Sequence, residues 1–357
     1  MSFPAKPNYS KGEIDRAGRA ACANEPNSAA YESAVKVVNE WRVSHHYPMH
    51  TFNMTLRSNA FAIDKRAVVA RRLKRLTTIL DKIGARENDM RLSRMQDVGG
   101  VRAIMKTVDQ VYQLVEIYRE PGRFSHVLKI HHDYIAKPKE SGYRGVHLVY
   151  EFNNAQGRSA NSRRYDGLLV EVQLRTELQH HWATAVEMIG VLLHQNLKSS
   201  DGDPRWLEFF QYMSSVIATL EEQPVLSEHR QFTTKDLYQR TAKLIKELEV
   251  GDVMAGWVTG VNLITEGGKG RHYNILTLNV QEKRVYIHGF HENELAKANK
   301  RLEELEAEAI VKGSPGPVLV AAGDLKSLKK AYPNYFLGVR SFLRLVEMVL
   351  ETVNEKV

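Results

Sequence analysis

The sequence contains a single cysteine, Cys22, among 357 residues. One cysteine excludes an internal disulfide framework and any zinc site built from several cysteines, and it fits a reducing compartment. No apolar run approaches the roughly 20 residues needed to cross a bilayer, and the N-terminal stretch lacks the apolar core of a signal peptide. These absences predict a cytoplasmic protein that does not enter a membrane.

Acidic residues are in the minority, with 42 Asp and Glu against 50 Lys and Arg, which gives a formal net charge of +8. The excess is local, because residues 57–106 hold 13 basic side chains and five acidic ones and so account for the whole net charge. A concentrated positive field favours an anionic partner such as nucleic acid, a nucleotide or a membrane surface. The sign of the charge alone does not choose among these partners.

The length and the order of apolar patterns predict two folded domains of α+β class. Residues 1–200 are predicted to form a mixed β-sheet with flanking helices. The turn-rich SSDGDP at Ser199–Pro204 precedes a helical connector over 201–250, and 251–357 form a small α+β domain. The strands predicted for the first domain are Val68–Arg75, Gly99–Met105, His126–Ile135, Val146–Phe152 and Leu168–Leu174.

The segment Val68–Arg75 matters most, because Arg72 and Lys74 share a face only if it is a strand. On a helix the two side chains would point about 200° apart. A competing helical pattern is formed by the apolar residues Val69, Leu73, Leu76, Leu80 and Ile83. Only the strand would bring both side chains to one ligand.

Two acidic residues belong to separate predicted strands, one just before its strand and one within it. Asp97 comes just before the strand that carries Arg102, and Glu171, Gln173 and Arg175 alternate along another strand so that all three share one face. A single carboxylate near cations is usually an ion-pair partner. Two carboxylates together with a polyphosphate, however, form the oxygen-rich setting that Mg²⁺ prefers.

A turn-rich loop between two predicted strands presents an aromatic ring among cations. Glycines flank Tyr143 at short distance, and Lys137, Lys139 and Arg144 surround it. Such a loop would offer the ring to a flat partner while the cations attract phosphates.

Four motifs, R-x-K-x-x-x-T-I-x-x-K, D-x-x-G-x-R, D-Y-I-x-x-P-K-x-x-G-Y-x-x-x-H and E-x-Q-x-R-T, follow one another in the chain. Together they resemble the synthetase domain of the RelA/SpoT family over residues 50–200. The resemblance implies an ATP pyrophosphotransferase, which moves the β,γ-pyrophosphate of ATP to a ribose 3′-hydroxyl with Mg²⁺. Its departures are Thr78 in place of the usual Ser and His180 in place of Asp.

The resemblance also implies a role for each motif residue. Arg72 and Arg102 would sandwich the adenine of ATP, and Lys74 and Lys82 would hold its phosphates. Asp97 and Glu171 would bind Mg²⁺, while Glu171 and Gln173 orient or deprotonate the attacking hydroxyl. Residues implied on the acceptor side are Tyr143, which would stack on the base, and Lys137, Lys139, Arg144, His147 and Arg175, which would support phosphate binding.

The C-terminal region contains Tyr332-Pro-Asn-Tyr335. Two aromatic residues at this spacing fit the packing of a helix end. The arrangement also resembles the fused toxin and antitoxin proteins of the CapRel type, in which a Y-x-x-Y motif covers the ATP site and a phage capsid protein relieves the inhibition. That resemblance implies an autoinhibitory role for Tyr332 and Tyr335.

The acceptor has two candidates. The 3′-terminal CCA adenosine of tRNA would make the protein a translation-blocking toxin, whereas GTP, GDP or an adenosine nucleotide would make it an alarmone synthetase. The concentrated positive charge favours tRNA, a large polyanion. An inactive RNA-binding module is a third interpretation, disfavoured because Asp97, Glu171 and Gln173 are all present.

Overall fold

The computed structural model describes residues 3, 6–84, 90–153, 160–192, 204–248, 250–251, 254, 273–279, 284–312, 317–321 and 333–354. The chain divides into two compact units, one of residues 1–132 and 146–175 and the other of residues 133–145 and 176–357. Within the described residues, no helix combines the length and apolar composition that crossing a bilayer requires.

Three helices open the first unit: α1 (Lys11–Ala23), α2 (Ala29–Val43) and α3 (His46–Ile63). Ser10 caps α1, because its hydroxyl accepts from the backbone of Glu13 while the Glu13 carboxylate accepts from the backbone of Ser10. The sequence predicts a helix break at Tyr47-Pro48, but the break falls at Ser44 and His45. Pro48 lies in the first turn of α3, where a missing N–H costs no intrahelical hydrogen bond.

A five-stranded sheet forms the centre of the first unit, with strand order β1-β2-β5-β4-β3. Its strands are β1 (Val68–Leu73), β2 (Gly99–Met105), β3 (Val127–Asp133), β4 (Val146–Glu151) and β5 (Leu169–Thr176). Neighbours β1 and β2 are antiparallel, as are β4 and β5. All five predicted strands are confirmed, as is the α+β class with a mixed sheet and flanking helices.

The remaining helices of this unit are α4 (Leu76–Gly84), α5 (Val108–Arg119) and the short α6 (Ala160–Arg163). Helices α3 and α5 pack against β1 and β2. The fit at Gly99 is close, since a Cβ there would lie 2.9 Å from the side chains of His45 and Met49. One face of this part of the sheet is therefore covered by helices, and Arg71 on that face contacts His50 of α3. Arg72 and Arg102 lie on the other face.

The second unit begins after the sheet with α7 (Glu177–Leu192), α8 (Pro204–Leu220) and α9 (Thr234–Glu247). It also contains a three-stranded antiparallel sheet of order β7-β6-β8, formed by β6 (Tyr273–Asn279), β7 (Arg284–Phe290) and β8 (Val318–Ala321). Helix α10 (Leu295–Lys312) packs on this sheet. The sequence also predicts a strand at 254–264 and a helix at 324–332. Met254 is helical rather than extended, and the rest of both segments lies outside the described residues.

The last helix, α11 (Pro333–Asn354), belongs to the apolar core of the second unit. It packs against α7 and α9, and its Phe342 contacts Phe209 and Phe210 of α8 edge-on or tilted. Burying such rings contributes about 1.5–3 kcal/mol each. Helices from both sides of the expected connector thus share one core, and the domain boundaries at 200 and 250 stay a prediction.

Candidate active site

Two arginines lie on the same face of the sheet. The register of β1 and β2 sets Arg72 opposite Gly100 and Arg102 opposite Ala70. Residues opposite each other on an antiparallel pair share a face, so the two guanidinium groups are diagonal neighbours, and each stands across from a small residue. β1 is a strand over Val68–Leu73, so the competing helix is wrong for these residues. The strand ends one residue before Lys74, and a shared face for Arg72 and Lys74 stays a prediction.

Glu171 lies beside this pair of strands. A Cβ built on Gly100 would lie 3.5 Å from the Glu171 carbonyl oxygen and 3.9 Å from its Cβ. The predicted alternation along β5 is confirmed, because Val172 and Leu174 are buried while Glu171 and Gln173 are partly exposed. The polar residues of β5 therefore meet those of β2 across one strand spacing.

Asp97 accepts hydrogen bonds from two lysines at the same oxygen. Lys74 Nζ lies 2.6 Å and Lys82 Nζ 3.1 Å from Asp97 Oδ2. Burial opposes ionisation of Asp97, but the two ammonium groups outweigh it and hold its pKa below the usual range. Burial lowers the pKa of Lys74, and the charge of Asp97 opposes that effect. The cluster keeps an anion and two cations together at one end of the sheet.

Glu171 contacts a histidine rather than lysines. His147 on β4 places Nδ1 2.8 Å from Glu171 Oε1, and its Nε2 lies 3.2 Å from Gln173 Nε2. The antiparallel register puts His147 directly opposite Gln173. The three side chains form a chain of hydrogen bonds along one face of β4 and β5.

The two carboxylates could hold a divalent cation. Asp97 is engaged at Oδ2 and Glu171 at Oε1, which leaves Asp97 Oδ1 and Glu171 Oε2 as the oxygens that could become ligands. No group of three or more metal-binding side chains occurs within the described ranges. Mg²⁺ fits this donor set, because it binds one or two carboxylates and completes its shell with water and substrate phosphates.

The predicted acceptor loop belongs to the second unit. Lys139 Nζ lies 4.5 Å from the ring centre of Tyr134 and 5.5 Å from that of Tyr143. Gly142 has φ +91°, and a Cβ there would come within 3.0 Å of Ser214 and Trp182. The loop needs glycine at this position both for its backbone conformation and for space.

The prediction that Arg144 binds acceptor phosphates is corrected by its position in the structure. It is 2% exposed, its Nε donates to Ser214 Oγ at 3.0 Å and its Nη1 donates to the Ile135 carbonyl at 3.3 Å. Ser214 Oγ in turn donates to the Gly142 carbonyl at 2.6 Å. Arg144 thus fastens the loop to α8 from inside, and its burial lowers its pKa to about 10. Lys137 and Lys139 are exposed and remain the cations that the loop presents to solvent.

Comparison with known proteins identifies the family. The profile described as "Region found in RelA / SpoT proteins" matches residues 71–190. GTP pyrophosphokinase YjbM of Bacillus subtilis is 30% identical over 159 residues, which cover 43% of this chain and 68% of YjbM. The chain belongs to the RelA/SpoT family. It is accordingly a pyrophosphotransferase of the RelA/SpoT type.

This chain covers smaller shares of two other relatives than it does of YjbM. GTP pyrophosphokinase YwaC of Bacillus subtilis is 26% identical over 131 residues, 35% of this chain and 59% of YwaC. GTP pyrophosphokinase of Escherichia coli K12 is 25% identical over 177 residues, 50% of this chain and 21% of that enzyme. Among solved structures, small alarmone synthetase 1 from Bacillus subtilis bound to pppGpp aligns with a TM-score of 0.43 and 23% identity, covering 52% of this chain and 92% of that chain.

The remaining predicted residues of this RelA/SpoT protein lie as follows. Arg175 is 3% exposed at the end of β5, on the face of Glu171 and Gln173, and its role in phosphate binding stays a prediction. Tyr332 lies outside the described residues. Tyr335 lies in the first turn of α11, but its side chain is outside the described part, so the autoinhibitory role stays a prediction.

Sequence reasoning missed several residues that shape the site. Gly100 and Ala70 keep the floor between the two arginines low, and Ser214 holds Arg144. The sequence predicts phosphate binding for His147, yet its ring nitrogens contact Glu171 and Gln173. The Gly99-Gly100 pair opening a strand was a usable signal, because glycine in a strand interior often marks a close approach.

Proposed function

We propose that this RelA/SpoT protein transfers the β,γ-pyrophosphate of ATP to the 3′-hydroxyl of a ribose. The observation that carries the proposal is the set of polar side chains on one face of β1, β2 and β5. Two arginines, two carboxylates and a pair of lysines occupy that face and its end. Phosphoryl-type transfer depends chiefly on positioning and on neutralising charge, which these groups supply.

ATP would bind along the β1 edge of the sheet. The adenine would stack between the guanidinium planes of Arg72 and Arg102, over the small residues that face them, a contact worth about 1–2 kcal/mol when desolvated. The ammonium groups of Lys74 and Lys82, held at Asp97, would face the phosphates. Asp97 and Glu171 would hold Mg²⁺, which would supply charge neutralisation for the transfer when bound.

Glu171 would accept the proton of the attacking hydroxyl at Oε2, the oxygen that His147 does not hold. The 3′-oxygen then bonds to the β-phosphorus, and the bond from that phosphorus to the oxygen bridging the α- and β-phosphates breaks. AMP leaves with the bridging oxygen. General-base help of this kind contributes about 10² to 10⁴-fold.

The proposed acceptor is the 3′-terminal adenosine of tRNA, whose modification would block translation. Its support is the concentration of charge, since residues 57–106 hold 13 basic side chains against five acidic ones. Phosphate contacts of a large polyanion need such a surface. Lys65, Arg66 and Lys106 in this window are exposed and available for it.

A guanosine nucleotide, GTP or GDP, is the second candidate acceptor. Its support is the activity of the relatives, which are GTP pyrophosphokinases, including the one that is 30% identical. The same pyrophosphotransfer chemistry serves both acceptors, because each offers a ribose hydroxyl beside a base that an aromatic ring can stack upon.

Acceptor labelling with the full chain distinguishes the candidates. The chain is incubated with Mg²⁺, ATP labelled in its γ-phosphate and, separately, total tRNA, GTP or GDP, with the Glu171→Gln variant as the matched control. Label on tRNA supports the first proposal, and label on GTP or GDP supports the second. Absence of label and of AMP release in every mixture, with the full chain and with its Tyr335→Ala variant alike, contradicts pyrophosphotransfer and favours the inactive RNA-binding module. Label with Tyr335→Ala alone indicates a closed resting state.

The fused toxin and antitoxin interpretation is proposed for the C-terminal region, with a phage capsid protein as the activator. The Tyr332-x-x-Tyr335 motif supports it.

Deletion beyond residue 250 is a poor test, because α11 shares a core with α7 and α9 and its loss exposes that core. Tyr335→Ala in the full chain is the better variant, with Tyr286→Ala on the exposed side of β7 as control. Increased toxicity of Tyr335→Ala alone is expected, and equal growth of both variants contradicts autoinhibition.

A further inference from the structure

His147 lies between two side chains that fix the position of its proton. Its Nδ1 is 2.8 Å from Glu171 Oε1, and its Nε2 is 3.2 Å from Gln173 Nε2. The ring is partly buried, on the same face of β4 and β5 as both partners. Each ring nitrogen therefore has a protein partner of known hydrogen-bonding capacity.

The two partners together specify a tautomer. An ionised carboxylate only accepts hydrogen bonds, so His147 Nδ1 must carry the proton that it donates to Glu171. An amide nitrogen only donates, so Gln173 Nε2 donates to His147 Nε2, which must be unprotonated. The assignment is a neutral imidazole with its proton on Nδ1.

This tautomer has a consequence for Glu171. The hydrogen bond from His147 fixes one carboxylate oxygen, and Oε2 is the oxygen left to meet the attacking hydroxyl or a cation. A second partner that orients the reacting group is the arrangement that general-base catalysis requires.

We propose that His147 is a positioning residue for Glu171, held as the Nδ1–H tautomer by Gln173, rather than a phosphate ligand. The proposal rests on the proposed function, in which Glu171 accepts the hydroxyl proton. A phosphate contact would use a proton on Nε2, and Gln173 occupies that nitrogen as a donor. The two roles therefore need opposite ring nitrogens to carry the proton.

Two substitutions separate these roles, because asparagine and glutamine mimic different ring nitrogens. The side-chain amide nitrogen of His147→Asn falls near the position of Nδ1, and that of His147→Gln falls near Nε2. Positioning predicts that His147→Asn keeps kcat within about tenfold, while His147→Gln loses about 10²-fold or more with the acceptor KM unchanged. The reverse order, or an equal loss in both variants, overturns the proposal. Thermal unfolding of both variants serves as the folding control.

A second measurement does not depend on activity. Long-range ¹⁵N–¹H spectra of the full chain, labelled with ¹⁵N in histidine, report which ring nitrogen carries the proton, and the His147 signals are identified by their loss in His147→Asn. A protonated Nδ1 with an unprotonated Nε2 is expected. A protonated Nε2 overturns the proposal. If this signature is found and no acceptor is labelled, the proposed function fails while the hydrogen-bonded tautomer stands.

Discussion

Two adjacent glycines, Gly99 and Gly100, lie on opposite faces of the N-terminal sheet and have different neighbours. A Cβ on Gly99 would lie 2.9 Å from His45 and Met49 of α3, whereas the nearest atom to a Cβ on Gly100 is the Glu171 carbonyl oxygen at 3.5 Å. Gly99 therefore serves close helix packing, and Gly100 lies on the floor of the proposed adenine site.

The difference extends beyond the glycines to the groups that titrate. On the covered face His45 is buried, and burial lowers its pKa to about 4. On the site face Asp97 stays ionised, because Lys74 and Lys82 outweigh the effect of burial on its pKa. Burial disfavours the charged form of His45 on the covered face, whereas two ammonium groups favour the charged form of Asp97.

This contrast teaches that stability and chemistry are separable on one strand. Side chains on opposite faces of β2 differ by a single position in sequence, since successive residues of a strand alternate. Substitutions on the covered face should change unfolding and leave substrate constants alone. Substitutions on the site face should do the reverse.

Asp97→Asn should produce the largest effect on activity. It removes the anion that holds both lysines and one proposed metal ligand, and we expect kcat to fall by about 10³-fold, in the range that the loss of one electrostatic contact produces. Steady-state kinetics of AMP release measures the change.

The matched control for this variant is Asp81→Asn on α4. Asp81 has no ion pair with a lysine among those found in the described chain. Partial desolvation of its carboxyl group raises its pKa, whereas cations lower that of Asp97. We expect it to keep near wild-type turnover. If Asp97→Asn kept the wild-type kcat, Asp97 would not be part of the catalytic site.

Acid should destabilise the covered face through His45. The unfolded histidine titrates near pH 6.5 and the folded one near pH 4, so the unfolded state binds more protons between these values. The contribution of His45 to stability is complete above pH 6.5 and is lost as pH falls toward 4, a change on the order of 3 kcal/mol.

Urea unfolding from pH 7 to pH 4 tests this sign with His45→Asn, whose amide can still donate to the Trp41 carbonyl that His45 Nδ1 contacts at 3.0 Å. The variant should show a flatter dependence of the unfolding free energy on pH. His46, whose pKa burial also lowers to about 4, supplies the slope that remains. An unchanged slope in the variant would assign the acid sensitivity to other groups.

Much of the site face could be predicted from sequence because period-two alternation is local. Glu171 and Gln173 alternate with buried Val172 and Leu174 as expected. Arg72 and Lys74 required a choice between strand and helix, and the requirement that both face one ligand selected the strand. Alternation alone could not reveal which residue of β2 faces Arg72, because register is a property of two strands together.

The burial of Arg144 could not be predicted from its local sequence. Its charge and its neighbours suggested a phosphate ligand, yet it is buried and bonded to Ser214, which lies 70 residues further along the chain. Charge in a sequence does not report burial when the compensating acceptors are hydroxyl and carbonyl groups from distant segments. The tautomer-fixing contact of His147 with Glu171 escaped for the same reason.

Gly99→Ala and Gly100→Ala test the two faces directly. Gly99→Ala should lower the unfolding free energy by about 1–3 kcal/mol, because its methyl group overpacks against α3, and should leave the KM for ATP near wild type. Gly100→Ala should unfold like wild type and raise the KM for ATP several-fold, since a methyl group raises the floor between Arg72 and Arg102. Equal unfolding midpoints for the two variants would contradict the assignment of faces.

The smallest effect is expected from Lys82→Met. The Lys82 side chain is 44% exposed and that of Lys74 is 9% exposed, although both bond to Asp97 Oδ2. An exposed ion pair contributes about 0.2–1 kcal/mol, so the unfolding free energy should change by no more than this. The proposed phosphate contact predicts that the KM for ATP rises up to about tenfold, a cost of ~1.4 kcal/mol. Lys74→Met, measured beside it, should lower the unfolding free energy and raise the KM for ATP by more, because it removes the buried partner of Asp97 and leaves only the exposed Lys82. If Lys82→Met were the more damaging of the two, the exposed lysine rather than the buried one would be the principal phosphate ligand.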